Sequence, residues 1–167
     1  LGADRAAALT AIAMSGRVVD VLVGPAGAGK TTAMSALRRA WEAEHGKGSV
    51  VGLAPSAVAA QVLADDLGIA TENTAKWLHT FHTTGTTFAK GQLVIVDEAS
   101  LAGTFTLDQI TSQAEAQGAK VLMVGDWAQL QSVDAGGSFE LLVSVRDDAP
   151  ELTNVHRFIL SWEKKTS

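Results

Sequence analysis

The sequence predicts an α/β fold: a parallel sheet covered by helices on both faces. Three observations carry that expectation. Short apolar runs alternate with helix-patterned stretches along the chain. Residues 93–96 and 121–124 are apolar on both strand faces, as buried parallel strands must be. The 167 residues, 47% of them hydrophobic, suffice for one core without disulfides or metal.

The elements follow in order. Residues 4–15 are alanine-rich, with Leu9, Ile12 and Ala13 at helical spacing and Gly16 in place to cap, so a short helix leads. Residues 18–23 are a β-branched strand run, 24–29 are too glycine-rich for regular structure, and 30–44 return to a helical pattern. Residues 49–54 repeat the strand signal, Pro55 and Ser56 break it, and 57–67 read as a helix stopped by Gly68. A short helix is expected over 73–80. From His82 to Gly91 there is no period, which predicts an exposed, mobile loop and the one plausible point of insertion. Residues 93–96, 107–117, 120–124 and 137–145 then read as strand, helix, strand, helix, with a last short strand at 151–154. No repeat or linker divides the chain, so 1–167 is expected to be a single domain.

Composition narrows the function classes. The net charge of −5 argues against a protein that grips nucleic acid with its whole surface. Residues 1–50 are nevertheless net basic, with six Lys/Arg against four Asp/Glu, so any polyanion site must be local. The absence of cysteine excludes disulfides, thiolate zinc sites and thiol catalysis, and fits a reducing compartment; the expected location is the cytoplasm. No apolar run approaches the ~20 residues of a membrane helix, so a soluble chain with no membrane segment is expected. Leu1 is not a start methionine and no basic-apolar leader follows, which reads as an excised fragment.

Gly24-Pro25-Ala26-Gly27-Ala28-Gly29-Lys30-Thr31 fits G-x-x-x-x-G-K-[ST] between a predicted strand and a predicted helix. Glycines let the backbone wrap phosphates so that successive N–H groups point inward, and the helix start adds positive potential. Lys30 would reach the β/γ-phosphates and the Thr31 hydroxyl would ligate Mg²⁺. An ordinary turn needs one or two glycines rather than this arrangement.

Two further strands end in polar groups. Residues 93–96 lead into Asp97 and Glu98, and their carboxyl end is expected beside the phosphate loop. There Asp97 would hold Mg²⁺ and Glu98 would polarise an attacking water as general base. Alone, the two acids would read as solvated turn residues. The strand at 121–124 should neighbour the acidic strand and delivers Asp126, Trp127 and Gln129. Gln129 would contact the γ-phosphate or its attacking water, Asp126 would cap the turn, and Trp127 would pack or stack on a base. Arg157 would supply a second cation to the γ-phosphate. His79 and His82 are three apart with no third ligand, which does not make a metal site.

Together these motifs resemble superfamily 1 helicases of the RecD-like branch, and more narrowly the first motor domain of the TrwC/TraI type of conjugative relaxase-helicase. The resemblance rests on GPAGAGKTT from Gly24 to Thr32, GLAPSAVAAQVL from Gly52 to Leu63 and TAKWLH from Thr74 to His79. It continues through VDEAS from Val96 to Ser100, GDWAQL from Gly125 to Leu130 and ELTNVHRF from Glu151 to Phe158. It implies a RecA-like P-loop NTPase fold, with 1–167 as the first of two motor domains and 158–167 starting the connection onward. It also implies ATP with Mg²⁺, with Gly24 to Thr32 as the nucleotide cradle, and movement along single-stranded DNA, toward which Pro55, Ser56, Thr74 and His79 would lie. The implied partners are single-stranded DNA, a second motor domain, a relaxase domain and the conjugation machinery. Arg5 stands where many members have an adenine-reading glutamine, and Gln131-Ser132 where many RecD-like exonuclease subunits have prolines, which leans toward the relaxase branch. The chain has no tyrosine, so the relaxase's nicking reaction is not expected of it.

Two other functions share a phosphate loop. A small-molecule kinase or GTPase would show an arginine-rich lid or a guanine-reading N-K-x-D, and neither is present. A nucleotide-binding assembly module would not need Asp97, Glu98 and Gln129 together.

Overall fold

Strands that are apolar on both faces can only be buried between two helical layers, and the computed structural model has that architecture. It describes residues 10, 12–13, 15–24 and 28–126. The order is β1 (Val19–Gly24), α1 (Ala28–His45), β2 (Val50–Ala54), α2 (Ala57–Leu67), β3 (Ala70–Asn73), α3 (Thr74–Thr84), β4 (Leu93–Val96), a 3₁₀ turn (Ala99–Leu101), α4 (Thr104–Gln117) and β5 (Lys120–Asp126). The five strands among the described residues are all parallel, in the order β1-β5-β4-β2-β3. Thr10, Ile12 and Ala13, from the predicted leading helix, are helical.

Alternation along each strand divides the core in two. Leu22, Leu93, Ile95, Leu122 and Val124 pack with Met34, Leu37 and Trp41 of α1 and Leu63 and Leu67 of α2. Val21, Val23, Val94, Val96, Val121 and Met123 pack on the other face with Leu107, Ile110 and Ala114 of α4. Every residue of β4 is fully buried. At ~1.5–3 kcal/mol for each large aliphatic side chain taken from water, this central strand holds the sheet together. Gly52 is where α2 lies closest: an added Cβ would stand 2.9 Å from Leu63 Cδ2 and from Thr71 Oγ1.

The amino end of the sheet is closed by charge. Asp20 is 0% exposed, with Oδ1 2.7 Å from Arg17 Nη2 and Oδ2 2.7 Å from Lys120 Nζ. The Lys120 ammonium also donates to the carbonyls of Ser15 and Arg17, at 3.0 and 3.2 Å.

Several expectations are corrected. The loop expected over 24–29 is shorter, because Gly24 completes β1 and α1 starts at Ala28 rather than Lys30. β3 was not expected: Ala70-Thr71-Glu72-Asn73 is polar because it is the edge strand and is only half-covered. α3 runs on to Thr84, so His82 to Thr84 are helical rather than loop, and Gly85 caps the helix in a left-handed conformation. The stretch beyond is not simply exposed. Phe88 is 7% exposed and stacks on Trp77 at 4.8 Å, while the Trp77 ring also stacks on Phe81 at 5.6 Å. α4 starts at Thr104 rather than Leu107, and β5 extends to Asp126. The helix expected at 137–145 and the strand at 151–154 lie outside the described residues, as do 158–167.

Candidate functional site

A parallel sheet delivers the carboxyl ends of all its strands to one edge, where helices begin and ligands bind. Gly24 at the end of β1 pairs in register with Asp126 at the end of β5, and Val96 at the end of β4 pairs with Met123 of β5. β5 therefore stands between the phosphate-loop strand and the acidic strand. The two motif-bearing strands flank it rather than each other.

Lys30 and Thr31 lie in the first turn of α1, both half-buried, with Thr32 exposed. N–H groups of a first helical turn have no partner within the helix, so a loop that ends in such a turn presents donors and positive potential to an anion. Ala28 and Gly29 belong to this turn, and Gly24 closes the strand before it. Pro25, Ala26 and Gly27 lie outside the described residues, as do Gln129, Arg157, Trp127 and Arg5.

Asp97 follows β4, and its N–H donates to Leu53 O at 2.9 Å, extending the ladder to β2 by one rung. Its Oδ1 accepts the Glu98 N–H at 3.0 Å. Burial pushes the Asp97 carboxyl above its ordinary pKa; the Glu98 N–H and the Lys30 cation pull it down, Asp66 adds to the rise, and burial wins. The pull from Lys30 means that the phosphate-loop cation and the first acid, 67 residues apart in sequence, share one electrostatic neighbourhood.

Glu98 is the one non-glycine residue with positive φ among the described residues, at φ 47° and ψ 47°. A left-handed glutamate is uncommon, and such backbone persists where the surroundings over-determine it. Here Leu101 N–H donates to Glu98 O at 3.0 Å, closing the 3₁₀ turn, and the intervening Ala99 and Ser100 are buried. The turn lifts Glu98 out of line with β4, at the same edge as Lys30.

The donors present suit a hard divalent cation held largely by phosphate. The Asp97 carboxylate and Thr31 hydroxyl would offer oxygen donors, and Mg²⁺ characteristically takes one or two carboxylates together with phosphate oxygens and water. No cluster of three or more His, Asp or Glu able to hold a metal by itself occurs among the described residues.

The residues expected toward DNA are divided. Pro55 is half-exposed and Ser56 exposed, with Ser56 Oγ accepting from Ala59 N at 3.0 Å as the cap of α2. His79 is exposed on α3. Thr74 is not at the surface: it is 5% exposed, and its hydroxyl donates to Ala54 O at 2.9 Å. Its side chain is occupied inside the protein, whereas it was expected to lie toward the DNA strand. Sequence reasoning also missed Asn73, whose Oδ1 accepts from Ala75 N and Lys76 N at 2.9 and 3.4 Å to cap α3. An asparagine immediately before a helical run was the available signal.

Residues 1–167 match the AAA domain family. The conjugal transfer protein TraA of Agrobacterium fabrum is 32% identical over 167 residues, which is 100% of this chain and 15% of that protein. TraA of Rhizobium radiobacter is 34% identical over the same length, again 15% of that protein. The probable conjugal transfer protein TraA of Sinorhizobium fredii is 32% identical over 162 residues, 97% of this chain and 14% of that protein. The chain thus spans about 15% of the length of the curated relatives it matches. Among solved structures, the Hef helicase domain of Pyrococcus furiosus superposes with a TM-score of 0.61 at 13% identity, covering 83% of this chain and 35% of that one. At that identity the likeness is one of fold, a RecA-like α/β sheet.

Proposed function

This chain belongs to the AAA domain family, in its RecD-like helicase form, and from that premise we propose that it is an ATP-hydrolysing motor domain acting on single-stranded DNA within a conjugative relaxase-helicase. The observation that carries the reading is the strand order, which sets the phosphate-loop strand β1 and the acidic strand β4 on either side of β5 with their carboxyl ends at one edge, Lys30 lying near enough to lower the pKa of Asp97. In this reading the first turn of α1 and the loop before it bind the phosphates, Lys30 draws charge from the β/γ oxygens, and Thr31 and Asp97 hold Mg²⁺. Mg²⁺ supplies neutralisation of the phosphate charge when bound. Glu98, lifted out of line with its strand, accepts the proton of the attacking water. Gln129 and Arg157 would contact the γ-phosphate. Pro55, Ser56 and His79 supply the DNA side.

The names of the TraA relatives support a place in conjugal transfer, and the match to only part of their length supports partner domains in the same polypeptide: a second motor domain and a relaxase domain. No helix among the described residues is long and apolar enough to cross a membrane. The test is ATP hydrolysis with and without single-stranded DNA, by this chain and by one extended through the second motor domain. DNA-stimulated turnover in the longer chain, lost on Lys30→Ala, is expected. Nucleotide binding without hydrolysis in either chain would make this an assembly module instead.

A further inference from the structure

Thr74 is the first residue of α3, yet its hydroxyl belongs to the sheet. Ala54 ends β2 and pairs in register with Asn73, the last residue of β3. The Thr74 hydroxyl, bonded to Ala54 O at 2.9 Å, adds one side-chain rung where the backbone ladder stops. The rung ties the end of β2 to the start of α3.

On each side of that junction a helix begins. Ser56 caps α2 and Asn73 caps α3, and the first turns of both helices leave the same sheet edge. Ser56, Lys76 and His79 are exposed around it, forming an open polar ledge in two halves, one on each helix. The Thr74–Ala54 bond is the buried side-chain hydrogen bond joining the two halves. The hydroxyl of a residue that is 5% exposed, its one proton already donated inward, has none left to donate to a phosphate.

We propose that Thr74 is a positioning residue for single-stranded DNA: it sets the spacing between the Ser56 and Lys76–His79 halves of the ledge and does not touch the strand. This rests on the motor reading above. Replacing the hydroxyl by a methyl in Thr74→Val leaves Ala54 O without its donor and lets the two helix starts move independently. The strand must then order the ledge as it binds, at a cost of about three- to ten-fold in affinity for a loss of one hydrogen bond.

The experiment is fluorescence anisotropy with a labelled oligothymidylate, with nucleotide affinity measured in parallel. Thr74→Val should bind DNA about three- to ten-fold more weakly and nucleotide as before, while Thr74→Ser, which keeps the rung, should bind DNA as the wild type does. Because Thr74 acts through the placement of Ser56, the losses in Thr74→Val and Ser56→Ala should fall short of adding in the double variant. Full additivity, wild-type binding by Thr74→Val, or a loss in Thr74→Ser would each overturn the inference. If Thr74→Val does not fold, the Thr74→Ser result decides. Failure of the wild type to bind the oligonucleotide would overturn the motor reading itself, and this inference with it.

Discussion

Asp20 and Asp97 stand at opposite ends of the same sheet, both drawn out of water, and the protein treats them in opposite ways. Asp20, at the amino end, lies between Arg17 and Lys120 at 2.7 Å each, and Lys120 spends further donors on two carbonyls. Each Asp20 oxygen faces a cation. Asp97, at the carboxyl end, has the Lys30 cation and one backbone N–H in its favour, and burial still outweighs them. A fully paired buried carboxylate holds a fold in register, whereas an under-compensated one marks a place where another cation is wanted. The strain at Glu98 lies at the same end as the under-compensated acid.

The comparison is sharpened most by catalysis. On the motor reading, Glu98→Gln should lower DNA-stimulated ATP turnover on the order of 10²–10⁴-fold while ATP still binds and the melting temperature is unchanged. Turnover at the wild-type rate would move the base elsewhere. At the other end, Asp20→Asn leaves two buried cations opposite a neutral amide, and urea denaturation should show a loss of about 3–5 kcal/mol. The folded fraction should bind nucleotide normally. Undiminished stability would mean that the amino-end network is ornamental.

Asp97→Asn should do the reverse of Asp20→Asn. It removes a carboxylate held at a cost, so the melting temperature should rise at neutral pH even as Mg²⁺-dependent hydrolysis is lost. The pH dependence has a definite sign. Between the ordinary aspartate pKa and the raised one of the native state, the folded protein keeps a proton that the unfolded chain has lost. Stability from this group therefore falls as pH rises through that window, and Asp97→Asn should flatten this part of the curve. A lower melting temperature in Asp97→Asn would show that Asp97 is structural after all. The smallest effect is expected at Leu101, 57% exposed in the turn after Glu98. Leu101→Ser should shift stability by no more than ~0.5 kcal/mol; a larger change would mean that the carboxyl edge carries core packing.

Much of this was readable in advance, and for a physical reason in each case. β4 and the helix at Ala57–Leu67 were legible to the residue because a strand buried on both faces is a continuous apolar run, and because Pro55-Ser56 and Gly68 punctuate the helix. β3 was not legible, since an edge strand needs no apolar run: Thr71, Glu72 and Asn73 are each only half-covered. Phe88 looked like part of a polar loop because its burial depends on Trp77, eleven residues earlier, turning its ring toward it.

The sequence by itself determined the chemistry on offer: a glycine loop ending in Lys30 and Thr31, a buried strand ending in Asp97 and Glu98, and the alternation that makes the sheet parallel. Those are local properties of spacing and composition. Only the tertiary structure decided which groups meet and which are already spoken for. It put β5 between β1 and β4, brought Lys30 within electrostatic reach of Asp97, and turned Glu98 left-handed out of its strand. It also withdrew the Thr74 hydroxyl into a bond with Ala54, twenty residues away. Strand order, burial and hydrogen-bond partners depend on contacts between residues distant in the chain, and no local pattern encodes them one at a time.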